Sequence, residues 1–186
     1  MKVGLFFGSF NPIHVGHLII AQHMVQEDTL DQVWFVVSPQ SPFKKKNSLL
    51  AEHHRLALVK LAIEDLPQLK ASDIEFKLPQ PSYTIDTLAH LKDKYPGFEF
   101  SLIMGEDNLT HLEKWKNFER ILAKHTLYVY PRWDDEKKDS SLKSHKSIVF
   151  CEDVPLMKIS ASFIRKRIAE KKDIHFLVTE PVRKYI

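Results

Sequence analysis

Cysteine is almost absent from this chain, since Cys151 is the only one among 186 residues. A single thiol excludes an intrachain disulfide and a zinc site built from several cysteines. No apolar run approaches the roughly 20 residues that span a bilayer, and the first residues lack the basic flank and long apolar stretch of a signal peptide. We therefore expect an unprocessed protein of the reducing cytoplasm, with no membrane partner.

An excess of one charge is also lacking. The 27 basic and 24 acidic residues leave a formal net charge of +3, which is too small to predict a nucleic-acid surface without a patterned basic patch. Residues 44–46 are consecutive lysines, but such a run is usually a solvated loop. We expect no nucleic-acid partner, and the composition neither indicates nor excludes a homo-oligomer.

Length and composition are those of one globular domain. The chain is 44% hydrophobic and 27% charged, which is ordinary usage and sufficient for a sizeable core. We expect a single domain over residues 1–186, with a helical C-terminal segment from about residue 160 to 186.

Apolar segments with strand and helix periodicity alternate along the chain. This alternation predicts an α/β fold with a doubly wound, Rossmann-like parallel sheet. Residues 132–146, rich in charge and serine, are expected to form a surface loop. The expected strands are 3–7, 32–37, 71–76, 98–104, 126–130 and 147–151. The expected helices are 14–27, 51–66, 84–94, 160–171 and one near the end, with further helical segments around 108–123.

Residues 8–18, GSFNPIHVGHL, follow the first strand directly and are the most informative segment. Asn11 is expected to cap the next helix and Pro12 to occupy its first turn, so that the positive helix end faces the crevice beyond the strand. His14 and His17 then share one helix face, and Gly16 leaves room for a close approach. A solvated histidine pair and a zinc site are the alternatives, but a strand, glycine turn and helix are typical of phosphate binding.

Four segments together resemble one family, the HxGH nucleotidyltransferases, and within it the bacterial nicotinate-nucleotide adenylyltransferases. They are 8–18, 81–88 (PSYTIDTL), 105–115 with GED and LEKW at its ends, and 159–165 (ISASFIR). The segments occur in the family's order and span nearly the whole chain. The departures from the usual pattern are Ser9 and Asn11 for threonine and aspartate, Phe43 for histidine, and Ala161 and Ser162 for serine and threonine.

The resemblance implies adenylyl transfer from ATP to the 5′-phosphate of nicotinate mononucleotide, giving nicotinate adenine dinucleotide and pyrophosphate. The attacking phosphate is already anionic at neutral pH, so the enzyme needs no general base and acts by orientation and charge neutralisation. Mg²⁺ is expected to arrive with the ATP phosphates, and no residue is assigned as a metal ligand.

The resemblance also implies a role for individual residues. His14, His17 and Arg165 would contact the ATP phosphates as catalytic residues, with His17 favoured at the α-phosphate. The remaining ATP-binding residues would be Gly8, Ser9, Phe10, Gly105, Asp107, Ser160 and Ser162, and those binding nicotinate mononucleotide Asn11, Lys44, Tyr83, Thr84 and Trp115.

Structural alternatives remain open for several of these residues. Arg165 could be an exposed helix arginine, Trp115 a core residue, Lys44 part of a solvated loop, and Asp107 and Thr84 helix caps. Other functions also remain open: transfer to nicotinamide mononucleotide or phosphopantetheine, nucleotide sensing without turnover, and nucleic-acid binding. Pyrophosphate release from ATP and each acceptor separates these functions.

Overall fold

Six parallel strands form a sheet in the order β3-β2-β1-β4-β5-β6 in the computed structural model, which describes residues 1–26, 30–39, 49–133 and 140–186. The strands are β1 (Lys2–Gly8), β2 (Gln32–Val37), β3 (Leu69–Ser72), β4 (Glu99–Gly105), β5 (Leu127–Tyr130) and β6 (Ile148–Phe150). The helices are α1 (Val15–Gln26), α2 (Glu52–Ala62), α3 (Thr84–Lys94), α4 (Glu106–Leu109), α5 (Phe118–Lys124), α6 (Ala161–Ala169) and α7 (Glu180–Tyr185), with 3₁₀ turns at Ile74–Lys77 and Leu112–Lys114.

The order of strands reverses between β1 and β4, which are paired at the centre of the sheet. In an open parallel sheet, ligands bind beyond the carboxyl ends of the strands at such a reversal. Gly8 ends β1 and Gly105 ends β4, so the fold brings the first and third matching segments to one edge.

The central strands β1, β2 and β4 are mostly apolar because the middle of the sheet is buried on both faces. Along β2, Val33, Phe35 and Val37 pack in one core cluster, whereas Trp34 and Val36 pack in the other. Alternate side chains of a strand point to opposite faces, so a strand covered on both sides needs a continuous apolar run. The α/β, doubly wound fold expected from the sequence is confirmed.

The entry into α1 differs from the prediction. The helix begins at Val15, so Asn11 does not cap it and Pro12 is not in its first turn. Phe10 is buried with a positive φ of 43°, which turns the chain, and the Asn11 side chain instead accepts from the Leu50 N–H at 3.3 Å. The His14 carbonyl accepts from the His17 N–H at 2.9 Å, which places His14 just before the helix.

One other predicted element is changed. Residues 71–76 are not one strand, because β3 ends at Ser72 and Ile74–Lys77 is a 3₁₀ turn. The helical segments expected around residues 108–123 are found as α4, the 3₁₀ turn and α5, and the left-handed Asn117, with φ 54°, precedes α5. Much of the loop expected at 132–146 lies outside the described residues. Within the described ranges, none of the helices is long and apolar enough to cross a membrane.

Candidate active site

A cavity of about 1470 Å³ lies at the carboxyl edge of the sheet, across the ends of β1, β4 and β5. Nearly every residue expected at the site lines it. They are Gly8, Ser9, Phe10, Asn11, His14, His17, Tyr83, Thr84, Gly105, Asp107, Trp115, Ser160, Ser162 and Arg165. Lys44, with the neighbouring Phe43, lies outside the described residues.

The His14 and His17 rings are stacked, with centroids 3.7 Å apart and an interplanar angle of 25°. The His14 backbone N–H donates to Nδ1 of His17 at 3.3 Å. A neutral His17 that accepts at Nδ1 carries its proton on Nε2, so Nε2 is its N–H donor. The edges of Phe6 and Phe10 pack against the same ring, at centroid distances of 5.8 and 5.1 Å, and hold its orientation.

His14 is buried, and its Nδ1 finds no hydrogen-bond partner within the described part of the chain. Burial and, secondarily, the nearby Arg132 guanidinium lower the pKa of His14 from 6.5 to about 4. A Cβ on Gly16 would lie 3.0 Å from this Nδ1, so the glycine leaves space for the His14 ring. Gly16 therefore makes room for the His14 ring, and it also lines the cavity, so the close approach of a nucleotide expected there stays a prediction.

Arg165 projects from α6 to the first loop. Its Nη1 donates to the Asn11 carbonyl at 2.8 Å, and its Nη2 donates to the Ser162 hydroxyl at 3.1 Å. At the start of the same helix, the Ser160 hydroxyl accepts from the Phe163 N–H at 3.1 Å, which confirms the predicted cap. Arg165 is half-buried at the cavity wall, unlike an exposed helix arginine, and a guanidinium has five N–H donors, so it can bind an anion while keeping these contacts.

Asp107 lies in the first turn of α4 and pairs with Arg132, with 3.3 Å between Oδ1 and Nε. Arg132 also lies over the Tyr130 ring, 5.9 Å from its centroid. Arg132 adds a second guanidinium to the cavity lining beside Arg165. Sequence reasoning missed it because residue 132 was read as the start of a loop; the signal was its position just after β5, one residue beyond Pro131.

The Tyr83 and Thr84 segment forms the N-terminal end of α3, with Tyr83 at the cap position and Thr84 as the first helical residue. The first N–H groups of a helix have no acceptor within it, so this end presents donors to the cavity. Trp115 lines the cavity while it packs against the core cluster on this face. The site and core interpretations of Trp115 are therefore compatible.

Glu75 is a cavity residue that the sequence did not single out. Its carboxyl is 3% exposed and accepts from the Thr87 hydroxyl at 2.9 Å. The hydroxyls of Ser38 and Ser82 lie close enough to the carboxyl to lower its pKa as donors. Burial raises the pKa of Glu75, and these three donors oppose the rise. Residues 71–76 were expected to form a regular strand, and that expectation gave no reason to predict a buried and hydrogen-bonded carboxyl at residue 75.

Arg55, also missed, supports the loops below the cavity. It is 1% exposed and donates to four backbone carbonyls, those of Ser9 at 2.7 Å, Ser38 at 2.8 Å, Leu50 at 2.9 Å and Pro39 at 3.1 Å. One guanidinium therefore joins the loops after β1 and β2. A helical arginine gives no signal of such a role in the sequence, because all four acceptors are main-chain atoms.

The described residues hold no cluster of three or more histidine, cysteine, aspartate or glutamate side chains that could bind a metal ion. Of the two acidic residues in the cavity lining, Glu75 and Asp107, the latter is paired with Arg132. The cavity thus combines imidazole, guanidinium and N–H donors with an aromatic wall, a set that suits anionic, ring-containing ligands.

Residues 5–167 match the cytidylyltransferase-like family. The whole chain is 58% identical to a Flavobacterium psychrophilum protein named "Probable nicotinate-nucleotide adenylyltransferase", of which it covers 96%. It is 45% identical over 185 residues to a Bacteroides fragilis protein of the same name, covering 100% of this chain and 90% of that protein. These matches extend over all four segments that carried the sequence resemblance.

Solved structures share the fold. Nicotinic acid mononucleotide adenylyltransferase of Plasmodium falciparum, complexed with NaAD, aligns with a TM-score of 0.79 at 19% identity, covering 100% of this chain and 94% of that one. The same protein complexed with APC aligns with a TM-score of 0.77. At this identity the likeness supports the arrangement of strands and helices, not individual contacts.

Proposed function

This chain belongs to the nicotinate-nucleotide adenylyltransferase family, within the cytidylyltransferase-like proteins, and we propose how its cavity performs that family's reaction. The reaction transfers the adenylyl group of ATP to the 5′-phosphate of nicotinate mononucleotide, forming nicotinate adenine dinucleotide and pyrophosphate, a step of NAD biosynthesis. The observation that carries the proposal is the convergence of His14, His17 and Arg165 with the Tyr83–Thr84 helix end and Trp115 in one cavity.

The chemistry needs orientation and charge neutralisation. An oxygen of the mononucleotide phosphate attacks the α-phosphorus of ATP in line, the bond to the bridging oxygen breaks, and pyrophosphate leaves with that electron pair. Donors that meet the oxygens gaining charge lower the barrier, and preorganised donors do so without rearranging during the reaction. The stacked rings and the aromatic edges around His17 provide such preorganisation.

We assign the Nε2–H of His17 to the α-phosphate and the buried His14 ring to a neighbouring phosphate oxygen. Arg165 and the start of α6, with Ser160 and Ser162, then face the β- and γ-phosphates that leave. The remaining ATP contacts are assigned to Gly8, Ser9, Phe10, Gly105 and Asp107. This assignment is supported by their shared cavity and by the N–H groups of the α6 terminus, which attract anions.

On the acceptor side, we assign the pyridine ring to Trp115 and its carboxylate to the N–H groups at Tyr83 and Thr84. Asn11, between the two sides of the cavity, and Lys44 are assigned to the mononucleotide. Two N–H donors aimed at one group match a carboxylate and leave the NH₂ of an amide facing a donor. The free acid should therefore be preferred over the amide.

Nucleotidyl transfer generally uses a divalent cation held with the nucleotide, and we propose Mg²⁺ carried by ATP. When bound there it would neutralise phosphate charge. The described residues offer no cage of their own for it, so the side chains named above act on the phosphates directly. We place the reaction in the cytoplasm, in keeping with the single cysteine, Cys151, which is free and buried, and we propose no nucleic-acid partner.

Pyrophosphate release tests the proposal. ATP is mixed with nicotinate mononucleotide, nicotinamide mononucleotide or phosphopantetheine, and we expect kcat/KM to favour the nicotinate compound at least tenfold, since an unmatched donor pair costs about 1–3 kcal/mol. Release with phosphopantetheine alone would reject the assigned acceptor, and equal rates with acid and amide would reject the acid preference.

A matched pair of histidine variants tests the phosphate assignment. His17→Ala should lower kcat by on the order of a hundredfold, the usual effect of losing one transition-state donor, while nicotinate mononucleotide still binds. His23→Ala is the control, because His23 lies in the last turn of the same helix outside the cavity lining. Turnover of His17→Ala within a few-fold of the unaltered enzyme would contradict the assignment.

A further inference from the structure

Glu75 is the one buried acidic residue among the described residues, and it lies in the wall of the cavity. An unpaired buried carboxyl is costly unless several hydrogen bonds satisfy it. The Thr87 hydroxyl within α3 donates to it at 2.9 Å. Ser38 after β2 and Ser82 before α3 line the same cavity, and their hydroxyls act as donors that lower the pKa of the carboxyl. The carboxyl therefore lies at a junction between the end of one strand and the beginning of one helix.

The helix start that this junction holds is the one that carries Tyr83 and Thr84. Ser82 immediately precedes them, and Thr87 lies one turn later, with its backbone N–H on the Tyr83 carbonyl at 3.1 Å. A carboxyl that is bonded to Thr87 and lies beside Ser82 borders the intervening residues on both sides, like a clamp. Their N–H groups are thereby held in one direction relative to Ser38 and the sheet.

We propose that Glu75 is a positioning and specificity residue for the acceptor substrate: it holds the α3 terminus so that its N–H donors meet the pyridine carboxylate. This inference rests on the assignment of Tyr83 and Thr84 to the acceptor. Glu75 acts through that helix end, and ATP, bound across the loops after β1 and β4, does not depend on it. Loss of Glu75 should therefore raise KM for the acceptor and leave KM for ATP nearly unchanged.

Glu75→Ala is expected to raise KM for nicotinate mononucleotide about tenfold, the effect of losing roughly one strong hydrogen bond, with KM for ATP changed less than twofold. The preference for nicotinate over nicotinamide mononucleotide should shrink by a similar factor. Glu75→Gln keeps the side-chain size and one acceptor oxygen, so it should restore most of both properties. A general loss of folding would not change KM for one substrate and spare KM for the other.

Thr87→Val provides a second arm, because it removes the α3 hydroxyl at constant volume. If the two residues form one clamp, the effects of Glu75→Ala and Thr87→Val on KM for the acceptor should not multiply in the double variant. Glu64→Gln, an exposed glutamate outside the cavity lining, is the control and should leave both KM values unchanged. If Glu75→Ala does not fold, Thr87→Val carries the test, because it should also raise KM for the acceptor and spare KM for ATP.

Equal changes in KM for both substrates, an unchanged acceptor KM, or fully multiplicative effects in the double variant would each overturn the role of Glu75. Calorimetric binding of nicotinate mononucleotide alone, to the unaltered protein and to Glu75→Ala, separates this result from the proposed function. Absence of pyrophosphate release by the unaltered protein would overturn the function, whereas equal affinity of the two proteins for nicotinate mononucleotide would overturn only the inference.

Discussion

Acidification is expected to destabilise this protein through the His14 imidazole. Burial, and secondarily Arg132, lower its pKa from 6.5 to about 4, so the folded protein keeps the ring neutral over a range in which the unfolded chain binds a proton. The stabilising contribution of the neutral ring is therefore complete above pH 6.5, and it is lost as the pH falls through that range to about 4.

The size of the effect follows from the pKa difference. Each unit corresponds to about 1.4 kcal/mol, so a fall from 6.5 to about 4 removes on the order of 3 kcal/mol from the free energy of unfolding. For a domain of this size, 1 kcal/mol lowers Tm by about 2–4 °C. The His14 contribution alone should therefore lower Tm by roughly 6–12 °C across the range.

Urea unfolding followed by circular dichroism at several pH values between 7 and 4.5 measures the effect, with His14→Gln as the reference that cannot titrate. The difference in unfolding free energy between the two proteins should fall by about 2–3 kcal/mol over that interval. Burial also lowers the pKa of His125 and raises that of Glu75. Both groups titrate in the two proteins alike and cancel in the difference.

A difference that stays constant with pH would refute the reasoning. So would a direct titration of the His14 ring by NMR with a midpoint at its ordinary value of 6.5 instead of about 4. Either result would mean that water reaches the ring and that burial does not suppress its charge.

Three substitutions test other parts of the structure. Arg165→Ala should weaken the binding of ATP at least tenfold more than that of AMP in calorimetry, since a charged hydrogen bond contributes about 1.5–3 kcal/mol. Lys166→Ala, at an exposed residue, is the control. Equal losses of affinity for the two nucleotides would contradict the assignment of Arg165 to the β- and γ-phosphates. Trp115→Ala should raise KM for nicotinate mononucleotide roughly tenfold and leave KM for ATP unchanged, because the pyridine ring loses its aromatic stacking partner. Unchanged kinetics together with a lowered Tm would show that Trp115 is a core residue only. Arg55→Met should lower the free energy of unfolding in urea by about 3 kcal/mol. Four carbonyls lose their donor, and the relief of burying a charge offsets only part of that loss. A change below about 1 kcal/mol would show that water replaces the guanidinium.

The sequence alone determined the features that depend on local pattern. Residues 33–37 had to be a strand covered on both faces, because they are continuously apolar and too short for a helix between turns. The Ser160 cap followed from one hydroxyl placed before a helical stretch. The order of the four segments indicated the family and, with the strand ends, the edge of the sheet where its residues would meet.

Contacts between distant residues were decided only by the tertiary structure. Arg165 reaches the Asn11 carbonyl across 154 positions of sequence, and Arg55 reaches the Ser9 carbonyl across 46. These acceptors are main-chain carbonyls, which every residue has, so no pattern of residue types predicts the contacts. The turn at Asn11 was misread for the same reason: a capping residue is defined by local preference, but its side chain was satisfied by Leu50, 39 residues away. Burial of Glu75 and the lowered pKa of His14 likewise arise from the elements packed around them, because desolvation belongs to the assembled fold and not to the residue.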